Sequence, residues 1–166
     1  MIYIEELKEE ISQKEQSIIG RKLLLRGLKL EYGIEELPEI SFEEYGKPYF
    51  LNYPKIHFNI SHCDKAVTCI LSKRPVGIDV ESIKPFDKEL AEYISTDHEL
   101  ASILESPDPS IAFTVIWTKK ESYCKLTGRG LDTRKEIQEI LFNNPTVFHS
   151  SINEAGGYVV TSCSDS

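Results

Sequence analysis

The sequence predicts an α+β protein of two similar halves, each a helix laid on an antiparallel sheet, the two related by a pseudo-twofold axis. Three observations predict it. A helical period runs through the first third, short alternating apolar runs fill residues 55 to 80, and a second succession of helix then strands follows residue 87. No low-complexity stretch or flexible linker separates the halves, so residues 1–166 are read as one domain with subdomains of approximately 1–84 and 85–166. A ligand cleft is expected between them.

Leu7, Ile11, Ile18, Leu25 and Leu28 recur at spacings of three, four or seven with charged residues between them, which predicts one long first helix ending at Gly33. Between Pro38 and Pro54, the run Glu44-Tyr45-Gly46-Lys47-Pro48 is punctuated like a surface loop. From Lys55 to His62 apolar residues alternate, so Ile56, Phe58 and Ile60 face one way and His57, Asn59 and Ser61 the other, as in a half-buried strand. Ala66 to Leu71 and Pro75 to Val80 read as further strands, turning at Lys73-Arg74, and together the three suggest an antiparallel meander. The pattern becomes helical from Asp87 to Glu105 and breaks at Pro107-Asp108-Pro109. A stronger helix then runs from near Ser110 to Thr127, stopped by Gly128, and Ile137–Phe142, Thr146–Ser151 and Gly157–Ser162 look like a second set of strands.

With 166 residues, 40% hydrophobic and 28% charged, the chain can bury a real core. No apolar run approaches the roughly 18–20 residues of a membrane span, and the N-terminus lacks a signal-peptide layout, so a cytoplasmic protein without membrane partners is expected. The four scattered cysteines show no C-x-x-C spacing and read as reduced core thiols. A net charge of −8 argues against nucleic acid as a partner, and an anionic ligand would need a local basic pocket.

In Gly77-Ile78-Asp79-Val80-Glu81, period-two geometry puts both carboxylates on one strand face; a solvated polar edge would read the same way. In the run from Trp117 to Lys125, Trp117, Glu121 and Lys125 stand four residues apart on one helical stripe, as an ordinary amphipathic helix with a Glu–Lys pair also would. The two segments occur together, with Gly128-Arg129-Gly130-Leu131 following and Tyr45-Gly46-Lys47-Pro48 and Phe58-Asn59-Ile60-Ser61-His62 upstream. In that order they resemble the 4′-phosphopantetheinyl transferases, specifically the larger, pseudo-dimeric, surfactin-synthetase-activating branch. The resemblance covers roughly residues 15 to 131.

That resemblance implies an enzyme that moves the 4′-phosphopantetheine arm of coenzyme A onto a serine of an apo acyl or peptidyl carrier protein, releasing adenosine 3′,5′-bisphosphate. It implies Mg2+ held by Asp79, Glu81 and Glu121. Three carboxylates facing a pyrophosphate call for a cation, because unit charges about 4 Å apart repel by about 4 kcal/mol at an effective dielectric near 20. Glu121 is the candidate proton acceptor, below its role as a metal ligand, and Lys125 the candidate pyrophosphate contact. Lys47, Ser61 and His62 would grip the 3′-phosphate end of coenzyme A, and Trp117 is expected to anchor the helix from the core.

Larger members carry a further N-terminal segment with a strand and basic residues. This sequence reads as beginning almost at the helix, leaving Lys14 or Ser17 as partial substitutes. Arg21, Lys22, Arg26 and Lys29 form either a solvated face or a dock for an acidic carrier protein. A monomer suffices if the halves are fused. The alternative function is a catalytically weak coenzyme A or carrier-protein binding module, against which the intact Asp79, Glu81, Glu121 and Lys125 speak; a magnesium-dependent nucleotide hydrolase is a third, disfavoured by the absence of a P-loop.

Overall fold

The computed structural model describes residues 1–130, 133–142 and 144–165, so Leu131 of the glycine-rich motif lies outside the described residues. The chain opens on a strand, β1 (Ile2–Glu6), where the sequence suggested the helix. Helix α1 (Gln13–Tyr32) begins only at Ser12, whose side chain and that of Glu15 bond each other's backbone N–H in a capping box, and it ends as expected at Gly33. Leu7 and Ile11 precede it; their helical spacing continued across the cap.

The expected loop holds a hairpin, β2 (Ile40–Phe42) and β3 (Pro48–Phe50), with the Glu43–Gly46 turn at its tip. Strands β4 (His57–His62) and β5 (Ala66–Ser72) pair antiparallel, and β1 takes the other edge of β5, giving the order β1-β5-β4. The following strand, β6 (Val76–Ser82), does not extend this sheet into a meander. It pairs with β8 (Tyr158–Ser164), which pairs with β7 (Val147–Asn153), in a second antiparallel sheet ordered β6-β8-β7.

Between β6 and β7 lie the helices. The stretch 87–105 divides at Ser95-Thr96 into α2 (Lys88–Ile94) and α3 (Asp97–Leu104), because Thr96 and Glu99 form a new capping box there. Helix α4 (Pro109–Thr127) starts from Asp108 with Pro at its first position and stops at Gly128, which takes a left-handed φ of 67°. The predicted strand Ile137–Phe142 is a correction: Thr133 and Glu136 cap a short helix there, α5 (Arg134–Glu139).

Two apolar layers hold these parts together. Leu23, Leu24 and Leu28 of α1 bury against Tyr3, Phe58, Val67, Cys69 and Leu71 on one face of the first sheet. On its other face Ala66 and Ile70 meet Val76, Ile78 and Val80 of β6 with Tyr158 and Val160 of β8. Strand β4 is therefore covered on both faces rather than half-buried, with Asn59 and Ser61 only 4% exposed. Alternation sends the odd residues of β6 the other way, toward α4, which lies across β6 and β8.

Candidate active site

The close approach of β6 and α4 is set at Gly77. A Cβ built there would fall 1.9 Å from the Ser122 carbonyl oxygen and 2.7 Å from the Leu126 nitrogen, so no other residue fits without driving strand and helix apart. Two residues on, Asp79 faces the same helix and is 2% exposed. Its Oδ1 accepts from Lys125 Nζ at 2.6 Å and from Ser61 Oγ at 2.9 Å. Ser61 Oγ in turn accepts from Lys125 Nζ at 2.8 Å and from the Val80 N–H at 3.2 Å. The other carboxylate oxygen, Oδ2, is buried and finds no hydrogen-bond partner among the described residues.

Glu81 and Glu121 flank this triangle, each half-buried. Burial pushes the Glu81 carboxyl above its ordinary range, and the Asp79 and Glu121 charges add to the rise while Lys84 and Lys125 oppose it. Glu121 is raised in the same way, by burial first and Asp79 second, against Lys125. The three acids thus feel one another. They do not close into a ligand cluster: among the described residues no three His, Cys, Asp or Glu side chains are disposed to hold a metal ion, and Lys125 stands on Asp79. The residues nevertheless fit a hard divalent cation, because the donors are all carboxylate oxygens, an acceptor of Asp79 is unsatisfied, and burial and mutual repulsion raise the carboxyls of Glu81 and Glu121, which a cation would relieve.

Lys125 also lines a cavity of about 340 Å³ shared with Tyr45, Lys47, Asn59, Gly128 and Arg129. Three cations, Lys47, Lys125 and Arg129, line it. Lys47 reaches it from the β2–β3 hairpin, and its Nζ donates to the Leu126 carbonyl at the end of α4; burial holds its pKa below the ordinary lysine range. His62 is exposed at the end of β4, with burial and then Lys125 lowering its pKa and Asp79 raising it. Ser17 is exposed on the first turns of α1, whose Gln16 amide donates to the Cys63 carbonyl at 3.2 Å, so this end of α1 lies beside the His62 end of β4. Trp117 is half-buried, one turn before Glu121, rather than sunk in the core. A larger cavity of about 590 Å³, among His98, Asp108, Ile111, Lys119 and Ile152, lies away from the acids. Charge and hydrogen bonding, not volume, mark the site.

Three residues escaped the sequence reading. Arg129 and Asn59 enter the sequence reading only inside their motifs and, for Asn59, as a polar strand position, with no role of their own. Lys120 is fully buried, its Nζ donating to Ile94 O, Glu99 Oε2, Ile137 O and Gln138 O at 2.8–3.0 Å. It gathers the C-terminal carbonyls of α2 and α5 and the first turn of α3 onto α4, one residue from Glu121. In sequence it is one of two adjacent lysines, with nothing to tell which goes inside.

Comparison with known proteins places this geometry in context. The sequence model of the 4′-phosphopantetheinyl transferase superfamily matches residues 75–162, a span holding β6, α4 and most of β8. The chain is 35% identical over 120 residues to a 4′-phosphopantetheinyl transferase of Bacillus subtilis, covering 70% of this chain and 53% of that relative. It is 32% identical over 119 residues to the 4′-phosphopantetheinyl transferase Sfp of Bacillus subtilis strain 168, with the same coverage. Identity to the 4′-phosphopantetheinyl transferase gsp of Aneurinibacillus migulanus is 45% over 91 residues, or 53% of this chain and 37% of the relative. The chain thus spans about half the length of these curated relatives or less. With Asp79, Glu81, Glu121 and Lys125 all inside the matched span, the chain belongs to the 4′-phosphopantetheinyl transferase superfamily, in the branch of Sfp and gsp.

Proposed function

We propose that this protein is a magnesium-dependent enzyme that transfers the 4′-phosphopantetheine arm of coenzyme A to a serine of an apo acyl or peptidyl carrier protein and releases adenosine 3′,5′-bisphosphate. The observation that carries the reading is the triangle of Asp79, Ser61 and Lys125, flanked by Glu81 and Glu121, at the edge of a cavity that also holds Lys47 and Arg129. Acids and cations stand side by side, as a metal–pyrophosphate substrate requires.

Asp79, through its unpartnered Oδ2, together with Glu81 and Glu121 would hold Mg2+, which supplies charge to balance the pyrophosphate and the leaving oxyanion. Lys125, with its side chain 30% exposed, has donors to offer the pyrophosphate while staying anchored on Asp79. Lys47, Arg129 and His62 would grip the 3′-phosphate end: Lys47 and Arg129 line the cavity that Lys125 shares, and His62 feels the Lys125 charge. Glu121 has its proton affinity raised by burial, which suits it to take the proton of the carrier serine. The serine Oγ then bonds to the β-phosphorus as the bond from that phosphorus to the bridging oxygen breaks, and the bridging oxygen leaves on adenosine 3′,5′-bisphosphate.

The same reading treats the chain as one domain of two similar halves about a pseudo-twofold axis. Its support is topological: each half opens on a strand, carries one long helix and closes on a hairpin, and both sheets place the first strand beside the last, as β1-β5-β4 and β6-β8-β7. The dividing point then falls at the Lys73-Arg74-Pro75 turn, ahead of β6, rather than near residue 84. Among the described residues no helix is long and apolar enough to cross a membrane. We place the protein in the cytoplasm as a monomer, without membrane or nucleic-acid partners.

Chromatography of the nucleotide products tests the reaction. With Mg2+, coenzyme A and an apo carrier protein, adenosine 3′,5′-bisphosphate should accumulate one for one with carrier consumed. Its appearance without a carrier would point instead to a hydrolase, and its absence with several carriers would sink the transferase reading.

A further inference from the structure

Strand β6 is an edge strand: β8 takes one side of it, and among the described residues the order β6-β8-β7 leaves the other side without a strand partner. Two of its outward N–H groups are met by side chains from the polar face of β4. The Ile78 N–H donates to Asn59 Oδ1 at 3.4 Å and the Val80 N–H to Ser61 Oγ at 3.2 Å, and both side chains come from residues 4% exposed. These two contacts bracket Asp79 and fix the backbone on either side of it.

Ser61 does more than cap an N–H. Its hydroxyl donates to Asp79 Oδ1 and accepts from Val80 and Lys125, so its proton and both lone pairs are committed inside the protein. We infer that Ser61 is a positioning residue for Asp79, and not a coenzyme A contact through its hydroxyl: it fixes the carboxylate by Oδ1 so that Oδ2 is presented to the incoming cation. This rests on the proposed metal role of Asp79. Residues that orient a metal ligand from behind typically change metal affinity by about 10- to 100-fold when removed.

Mn2+ binding to the coenzyme-free protein, followed by the loss of the free-ion paramagnetic resonance signal, separates the roles. Ser61→Ala should weaken Mn2+ binding by about tenfold or more, while coenzyme A affinity, measured calorimetrically without metal, stays within about twofold of wild type. Ser61→Thr, which keeps the hydroxyl, should restore Mn2+ binding. Unchanged Mn2+ affinity in Ser61→Ala overturns the inference whether or not coenzyme A binding falls, and so does Ser61→Thr failing as badly as alanine. Should the alanine variant not fold, Ser61→Cys carries the same test, since a thiol fills the space but is a weak hydrogen-bonding partner. Asp79→Asn tells the two failures apart. If it abolishes Mn2+ binding while Ser61→Ala leaves it intact, only the positioning role is lost. If Asp79→Asn itself binds Mn2+ like wild type, the metal reading fails and the positioning role with it.

Discussion

Lys125 and Asp79 form a pair in which the acid is nearly out of water and the base is not. Removing one partner of a buried pair costs about 3–5 kcal/mol; the lysine's exposure reduces this, so Lys125→Met should destabilise the protein by about 2 kcal/mol in urea unfolding. A loss below about 0.5 kcal/mol would mean that the pair is not what holds Asp79. Glu121 makes the opposite prediction. Its folded-state pKa is raised above the ordinary 4.5, so it binds its proton more tightly folded than unfolded. Its contribution to stability is full below the ordinary value and is lost as pH rises through the raised one. Glu121→Gln should therefore stabilise the metal-free protein by about 1 kcal/mol at pH 7 and leave it nearly unchanged below the ordinary carboxyl range, while transfer activity falls. Equal stabilisation at both ends of a thermal-melting pH series would show that ionisation of Glu121 is not the cause.

At the level of elements, the site depends on how closely β6 lies on α4. Gly77→Ala places a methyl group within 1.9 Å of the Ser122 carbonyl, and backbone on both sides leaves no side chain to move aside. The expected loss is about 3 kcal/mol or more, with transfer activity lost even in conditions where the variant is folded; a melting temperature like wild type would show the contact to be slack. Much of this arrangement was legible in the sequence. The period-two run at 77–81 and the four-residue stripe through Glu121 and Lys125 belong to elements whose periodicity survives folding. Local capping is what the periodicity concealed: Ser12 delays α1, Thr96 divides α2 from α3, and Thr133 with Glu136 turns an apolar run that reads as a strand into α5. Partner choice was concealed too. Nothing in β5 or β6 alone says that the latter pairs with a strand some eighty residues on, so the buried face of β4 and the role of Ser61 could be seen only once β6 lay against it. Lys120 likewise goes inside because three helix ends converge on it, which no stretch of sequence displays by itself.

In the molecule as a whole, the two sheets are joined by more than their shared apolar layer. Glu6, at the end of β1, accepts from Asn153 Nδ2 at 2.8 Å and Tyr158 Oη at 2.9 Å, tying the N-terminal strand to the C-terminal hairpin. Asp79 sits where β6 meets the first sheet through Ser61 and the helix layer through Lys125, so the candidate site is assembled from three elements far apart in sequence. Within a chain of net charge −8, Lys47, Lys125 and Arg129 line one cavity at this junction. Whether this junction moves a phosphopantetheine arm is decided by the intact mass of an apo carrier protein. After incubation with coenzyme A, Mg2+ and the wild-type chain, the carrier should gain the mass of one phosphopantetheine group, and gain nothing with Asp79→Asn or with a chelator present. A carrier left at its apo mass by the wild-type chain, or converted equally well by Asp79→Asn, would contradict the account.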